Sequence, residues 1–394
     1  MNKLTADDFY DRDNREVYEA ITTVKNIDTF AVIDKCPKHE KYLMELSTKY
    51  ITPLNLDNHI DLLKKHTVTR ELYKRMIKAQ ELFSYSVEPV ELKAKLLSLF
   101  NVDTGMEHKE TWNDKVNRVA ADIDKPTDVY KTGFYEIDKS LAITRGDLVY
   151  IAARPSMGKT ALALNIMVNM AKAGYKCKFV SLETSETNII KRIFANIVGV
   201  SMPGLIHRHL KDEQIKRIRD KVNDITKLNI DLTDKDYAIE TIKSNAKALK
   251  YADKLDVLFI DYLQLVGTKE KFGNKNSQVE HISRELKIMG LELEIPIICL
   301  SQLSRNVEQR QDKHPVLSDL RDSGAIEQDA AAVCFLYRDS YYNPKDMTPD
   351  IDVVELDIRK QKDGPTGFVE LNCILSMMRF ISNYGDDKKK EGKG

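Results

Sequence analysis

The sequence predicts a small all-α domain followed by an α/β domain built on a mostly parallel central sheet. Two observations carry this. Apolar residues in the first hundred positions recur at helical spacing, as Val17, Ala20 and Ile21 do at i, i+3 and i+4. From about residue 131, short apolar runs alternate with helical patterns, the arrangement that places helices on both faces of a parallel sheet.

In the first region, Leu56 to Phe83 holds a long periodic pattern (Ile60, Leu63, Leu72, Met76), with Glu71 and Arg75 spaced as a helix-surface pair. The region reads as a helical bundle without the spacing of a metal or catalytic site. Asn101–Gly105 breaks the pattern. One more helix is expected over 111–123, with Trp112, Val116, Val119 and Ala120 on one face, and Lys125-Pro126 stops it. A lone helix between loops cannot bury its own face, so it packs on its own domains or docks on a neighbouring subunit. The resulting divisions are 1–100 helical, 101–130 linker, 131–384 α/β and 385–394 a charged tail expected to be disordered.

In the α/β region, strands are expected at Asp147–Ala153, Lys176–Leu182, Val257–Ile260, Pro296–Ser301, Ala332–Tyr337, Val353–Arg359 and Gly367–Ile374. Helices are expected at 159–173, 185–198, 238–250 and 277–293. The turn sequence Asp363–Gly367 joins the last two strands as a hairpin.

Composition bounds the function. Lys plus Arg and Asp plus Glu both number 61, which excludes a histone-like cationic coat and an acidic solvating protein. A neutral chain can still gather cations on one face. No apolar run approaches the roughly 18 residues of a membrane span, and the polar, acidic start is no signal peptide. The five cysteines are scattered without a CxxC, as expected for the reducing cytoplasm and against a zinc site.

The strongest chemical signal is Ala153-Arg154-Pro155-Ser156-Met157-Gly158-Lys159-Thr160. It fits a phosphate-binding loop except for Ala153 at the first glycine position, and it lies between an apolar strand and an Ala/Leu-rich helix. Such a loop curls backbone N–H groups around a phosphate and aims a helix N-terminus at it. Gly158 permits close approach, Lys159 reaches the β- and γ-phosphates, and Thr160 offers its hydroxyl to Mg2+. Asp261 ends an apolar strand at the sheet edge where ligands bind and can hold the Mg2+ shell. Glu183 ends the next strand and can activate water, although an acid in the first turn of the following helix explains it equally well. Gln302 ends another strand and can sense the γ-phosphate; a solvated strand end is the even alternative. Two long polar loops, Thr268–Asn276 and Ser304–Gly324, offer Lys269, Lys271, Arg305, Asn306, Arg310 and Lys313 to phosphates, or are solvated charged loops. Their few aromatics point to backbone-tracking binding of a single strand. Arg359-Lys360-Gln361-Lys362 precedes the hairpin turn, where cations cap the strand or reach an adjacent subunit's nucleotide.

Taken together, these stretches resemble the DnaB-type replicative helicases of the RecA-like motor class. The matching runs are AARPSMGKTALALN, SLETSETNIIKR, FIDYLQL, SQLSRNVEQRQDKHPVLSDLRDSGAIEQD, FLYRDSYYNP and KQKDGPTG, which cover most of 131–381. The family commonly has Ala at position 153. LTADDFYDRDNREVYEAI resembles its helical collar, without the opening helix usual before it, so a shortened collar and a phage or mobile-element origin are expected.

The resemblance implies a RecA-like ATPase domain in a homohexameric ring that hydrolyses ATP with Mg2+ between subunits and moves 5′→3′ on an encircled DNA strand, with a primase and a helicase loader as partners. By position, Ser156, Gly158, Lys159, Thr160 and Ala161 bind the ATP phosphates, with Arg192 and Gln361 near the nucleotide. Glu183 activates water, Thr160 and Asp261 support the metal, and Gln302 couples the nucleotide to DNA. Arg321, Asp322 and Gly324 contact DNA. Lys360 and Lys362 act in trans, Lys362 standing where the family usually has Arg. The 111–123 helix corresponds to the linker that docks on the next subunit. A RecA-like recombinase and an inactive scaffold of the replication machinery are the competing readings.

Overall fold

The computed structural model describes residues 4–24, 27–49, 56–82, 112–122, 129–320, 323–344 and 351–383. Arg321 and Asp322, the break at 101–105 and the tail at 385–394 lie outside them. The chain divides into two compact units, Met1–Lys125 and Pro126–Gly394.

The first unit is helical: α1 (Arg12–Thr23), α2 (Thr29–Lys35), α3 (Glu40–Thr48), α4 (Leu56–Glu81) and α5 (Trp112–Asp122). Asp11 caps α1 by accepting from the Asp13 and Asn14 N–H groups, and Asp28 caps α2. Val17, Ala20, Val32, Cys36 and Leu43 form a small core. On α5, Trp112, Val116, Val119 and Ala120 are all exposed.

In the second unit, α6 (Tyr135–Ser140) precedes β1 (Leu148–Ala153), α7 (Lys159–Lys172), β2 (Cys177–Ser181) and α8 (Glu186–Phe194). Then come α9 (Met202–His207), α10 (Asp212–Thr226), β3 (Ile230–Thr233), α11 (Ile239–Tyr251), β4 (Val257–Asp261) and α12 (Lys275–Leu293). The chain closes with β5 (Ile297–Gln302), α13 (Ser323–Asp329), β6 (Ala332–Tyr337), α14 (Asp339–Tyr342), β7 (Asp352–Gln361), β8 (Gly367–Ile374) and β9 (Arg379–Ile381). No described helix is long and apolar enough to cross a membrane.

The strand order is β3-β2-β4-β5-β1-β6-β7-β8-β9. Every pairing from β3 to β6 is parallel, and those from β6 to β9 are antiparallel. This is the RecA-like ATPase fold. Alternation along β1 builds the two faces. Val149, Ile151 and Ala153 pack in one core with α7, while Leu148, Tyr150 and Ala152 pack in the other with α12. Because both faces are covered, the central strands read as continuous apolar runs.

The structure adds elements the sequence pattern does not predict. β3 and β9 are edge strands of four and three residues. Helix α10 fully buries no residue, and of its apolar positions (Ile215, Ile218, Val222, Ile225) Ile225 packs, partly buried, against the core. The expected helix 185–198 ends its α-geometry at Phe194 and closes in a π turn, Ala195–Gly199. The 268–276 loop is shorter than expected, since α12 starts at Lys275 with the Asn274 side chain capping Ser277 N–H at 2.8 Å.

Candidate nucleotide site

The phosphate loop follows β1 at the carboxyl edge of the parallel strands. Ser156 (φ 68°) and Gly158 (φ 96°) both take left-handed backbone conformations on either side of Met157. Alternating handedness turns successive N–H groups toward one point and makes an anion-binding concavity. Gly158 is also the N-cap of the 14-residue α7, whose unsatisfied amides face the same point. A side chain at Gly158 would be strained by its φ and would meet the Phe380 ring at 3.4 Å.

The loop forms one wall of a cavity of about 710 Å3. Ser156, Gly158, Lys159, Thr160, Ala161, Glu183, Arg192 and Gln302 all line it, so eight of the expected site residues meet there. Asp261 stands behind them, completely buried, and its Oδ2 accepts the Thr160 hydroxyl at 2.8 Å. Its Oδ1 is buried without a hydrogen-bond partner among the described residues. Burial holds the Asp261 carboxyl above the usual carboxylate range, against Lys159, the Thr160 hydrogen bond and Arg192, which favour the charge. A hydroxyl beside a buried carboxylate with an idle oxygen fits a magnesium shell, in which the ion and its waters satisfy that oxygen.

Lys159 lies over the Tyr262 ring, Nζ 4.4 Å from its centroid. Desolvation pulls its pKa down, partly offset by Asp261 and Glu183. A bound triphosphate would favour the charged ammonium. Glu183 is exposed to the cavity and has no ion-pair partner among the described residues. Arg192 presents a buried Nε that has no hydrogen-bond partner among the described residues. Gln302 is fixed through its backbone: Gln264 Oε1 accepts Gln302 N–H at 3.1 Å, and Gln264 Nε2 donates to Ser301 Oγ at 2.9 Å. Its side-chain amide lines the cavity.

The raised Asp261 pKa means that folding disfavours its charge, so at neutral pH the carboxylate costs stability. That cost shrinks as pH falls through the folded-state pKa and is gone below the ordinary carboxylate value of the unfolded chain. Asp261→Asn therefore raises the Tm of the nucleotide-free protein at pH 7, by an amount that shrinks in acid, while ATP hydrolysis is lost. Thermal melts across pH check this.

Other residues enter the site only through tertiary structure. Arg154, Pro155, Thr184, Tyr262, Arg338, Cys373, Leu375 and Met378 complete the lining. Arg154, Pro155, Thr184, Tyr262 and Arg338 stand inside the runs that carry the resemblance, but nothing in their spacing gives them a task. Arg338 pairs with Asp352 at 3.4 Å and lies 5.7 Å from the Tyr341 centroid. Burial pushes the Cys373 thiol up to about 12, so it is an apolar wall rather than a nucleophile.

The cations at the end of β7 lie elsewhere. Gln361 sits opposite Ala332 and Lys360 opposite Val333, at the amino edge of the parallel strands. Ala332 is level with Val149, so about 13 Å of strand separates it from the level of Ala153. Lys360 Nζ donates to the Glu327 carbonyl oxygen, and burial lowers its pKa. Gln361 is half-buried, and Lys362 is exposed with no ion-pair partner among the described residues. None of the three lines the cavity of their own chain.

Residues 304–320, the described part of the expected 304–324 loop before α13, differ from the open charged loop expected. They fold through turns at Arg305–Gln309 and Leu317–Asp319. Arg310 bonds Asp319 at 2.7 Å and the His314 carbonyl at 2.8 Å, while Lys313 bonds backbone carbonyls at Glu308 and Arg310. These two cations, expected to meet phosphates, hold the segment's shape. Arg154 ties it to the phosphate loop, donating to Glu308 Oε1 through Nε at 3.0 Å and to the Leu303 carbonyl at 2.8 Å. Gly324 is exposed on α13.

Residues 130–382 match the family model described as the DnaB-like helicase C terminal domain. The chain is also 30% identical over 408 residues to the "Replicative DNA helicase DnaC" of Bacillus subtilis (strain 168), covering 96% of this chain and 89% of that protein. The chain belongs to the DnaB-like replicative helicases. Among solved structures it resembles "The Structure Of A DnaB-Like Replicative Helicase And Its Interactions With Primase", with a TM-score of 0.72, 29% identity and coverage of 96% of this chain and 94% of that one. It also resembles a second solved structure, that of an isolated ATPase domain, with a TM-score of 0.63, 36% identity and coverage of 68% of this chain and 98% of that one. Family membership makes this DnaB-like protein a replicative DNA helicase, an ATP-driven enzyme.

Proposed function

We propose that the protein works as a homohexameric ring that binds ATP with Mg2+ between adjacent subunits and uses its hydrolysis to move 5′→3′ along an encircled DNA strand. The observation that carries this reading is the separation of the chemistry within one chain. The phosphate loop, Glu183 and Asp261 lie at one edge of the sheet, and Lys360 and Lys362 at the other. Those cations complete a nucleotide site only if a second copy brings them to it.

Within that site, Ser156, Gly158, Lys159, Thr160 and Ala161 hold the phosphates, with Arg192 beside the nucleotide. Thr160 and Asp261 would hold a magnesium ion, which when bound would supply neutralisation of phosphate charge. Glu183 takes a proton from the attacking water, whose oxygen bonds the γ-phosphorus as the bond to the β-γ bridging oxygen breaks. Gln302 changes partners as the γ-phosphate leaves. Lys360 and Lys362 stabilise the negative charge developing on the neighbour's nucleotide, with Gln361 between them. Lys362 does this as a point charge, without the fork an arginine provides. Arg321, Asp322 and Gly324 contact the strand. The exposed apolar face of α5 suits a helix that docks on the next subunit, and a primase and a loader are the expected partners.

Strand displacement tests this. On a duplex with one single-stranded tail of each polarity, ATP-dependent unwinding is expected when the ring loads on the 5′ tail. Unwinding that requires the 3′ tail would reverse the assigned direction, and open filaments on DNA in electron micrographs would favour the recombinase reading.

A further inference from the structure

We propose that a second phosphate-binding cleft adjoins the nucleotide cavity, built by Lys275 and Arg305. It has a volume of about 620 Å3 and shares Arg154, Tyr262 and Gln302 with the nucleotide cavity as a common wall. Its lining includes three cations, Arg154, Lys275 and Arg305, and no Asp or Glu. Arg154 is already paired with Glu308. Lys275 and Arg305 have no ion-pair partner among the described residues, and both are exposed to the cleft.

The two cations come from different elements. Lys275 opens the 19-residue α12, so the positive end of a long helix stands behind it. Arg305 opens the Arg305–Gln309 turn, which the Arg154–Glu308 pair fastens to the phosphate loop. Asn306 adds an amide to the same rim. An ammonium and a guanidinium facing one concavity without a carboxylate select a polyanionic oxygen cluster, and a phosphate group suits both. On the far side of Gln302 from the phosphate loop, that group has two sources: a phosphodiester of the bound strand, or inorganic phosphate leaving the nucleotide site. The second source rests on the proposed hydrolysis; the first needs only strand binding.

Acylation of lysines in the full wild-type chain, read by mass spectrometry, tests the site without any variant. Millimolar inorganic phosphate or an oligo-dT strand is expected to slow labelling of Lys275 several-fold. The double variant K275Q/R305Q identifies the source. If the strand is the ligand, the slope of log affinity for oligo-dT against log salt falls by about 0.7 to 1.4, for one or two phosphates. If product phosphate is the ligand, that slope is unchanged and phosphate release, followed with a fluorescent phosphate sensor, slows several-fold relative to hydrolysis. Unprotected Lys275 with both probes, together with wild-type salt slope and release rate in the double variant, overturns the proposal. Loss of ATP hydrolysis in the wild type would sink the proposed function instead, because protection by phosphate or oligo-dT is read independently of turnover.

Discussion

Lys159→Ala removes ATP hydrolysis, by at least about a thousandfold, the scale on which a cation placed at transferring phosphates acts. The fold is expected to survive. Lys159 makes no ion pair among the described residues and rests against the Tyr262 ring, a contact worth about 2 kcal/mol when the cation is desolvated. Its amine is desolvated, which works against the charged form and lowers the cost of removing it. Circular dichroism and melting temperature should therefore stay near wild type while turnover vanishes. Unchanged turnover would contradict the phosphate-loop assignment.

Glu183→Gln separates binding from chemistry. The substitution keeps size and shape but removes the proton acceptor, so hydrolysis is expected to fall by about a hundredfold to ten-thousandfold, the range for a positioned general base. Affinity for ATP should hold or rise, since an unpaired negative charge leaves a cavity that receives phosphates. Single-turnover kinetics and fluorescent-nucleotide binding distinguish this from the other explanation of Glu183, an acid that serves only the start of α8. In that case turnover persists and the helix loses stability.

Much of the fold and of the site is legible in the sequence, and the boundary has a physical cause. β1, β2, β4, β5 and β6 are buried on both faces and stand out as apolar runs. The residues at their carboxyl ends inherit one sheet edge from the parallel topology, which is how Lys159, Glu183, Asp261 and Gln302 are found together. Leu375 and Met378 escape this logic. They reach the cavity because the antiparallel extension brings β9 alongside α7, where Asn165 Nδ2 donates to the Met378 carbonyl at 2.8 Å and Asn165 Oδ1 accepts Phe380 N–H at 3.0 Å. The one signal in the sequence is Asn165 itself, a buried amide inside an apolar helix: its Nδ2 also donates to the Ala161 carbonyl of the same helix at 2.6 Å, but its Oδ1 needs a donor from outside. The 304–324 segment escapes for another reason. Sequence reveals its cations but not that Asp319 and backbone carbonyls occupy Arg310 and Lys313, which leaves Arg305 and Lys275 as the cations free to meet a ligand in the cleft.

The central claim is that ATP is hydrolysed at the junction between copies. It follows from Lys360 and Lys362 lying at the sheet edge opposite their own phosphate loop. Subunit mixing tests it most directly. The variant K360A/K362A is blended with wild-type chains at fixed total concentration, and DNA-stimulated ATP hydrolysis is measured against the mixing ratio. Each variant chain is expected to disable a neighbour's site and stall the ring, so activity should fall along a steep curve, well below proportionality at the first additions. A straight line through all ratios would mean that each chain hydrolyses alone, and the shared-site account would be wrong.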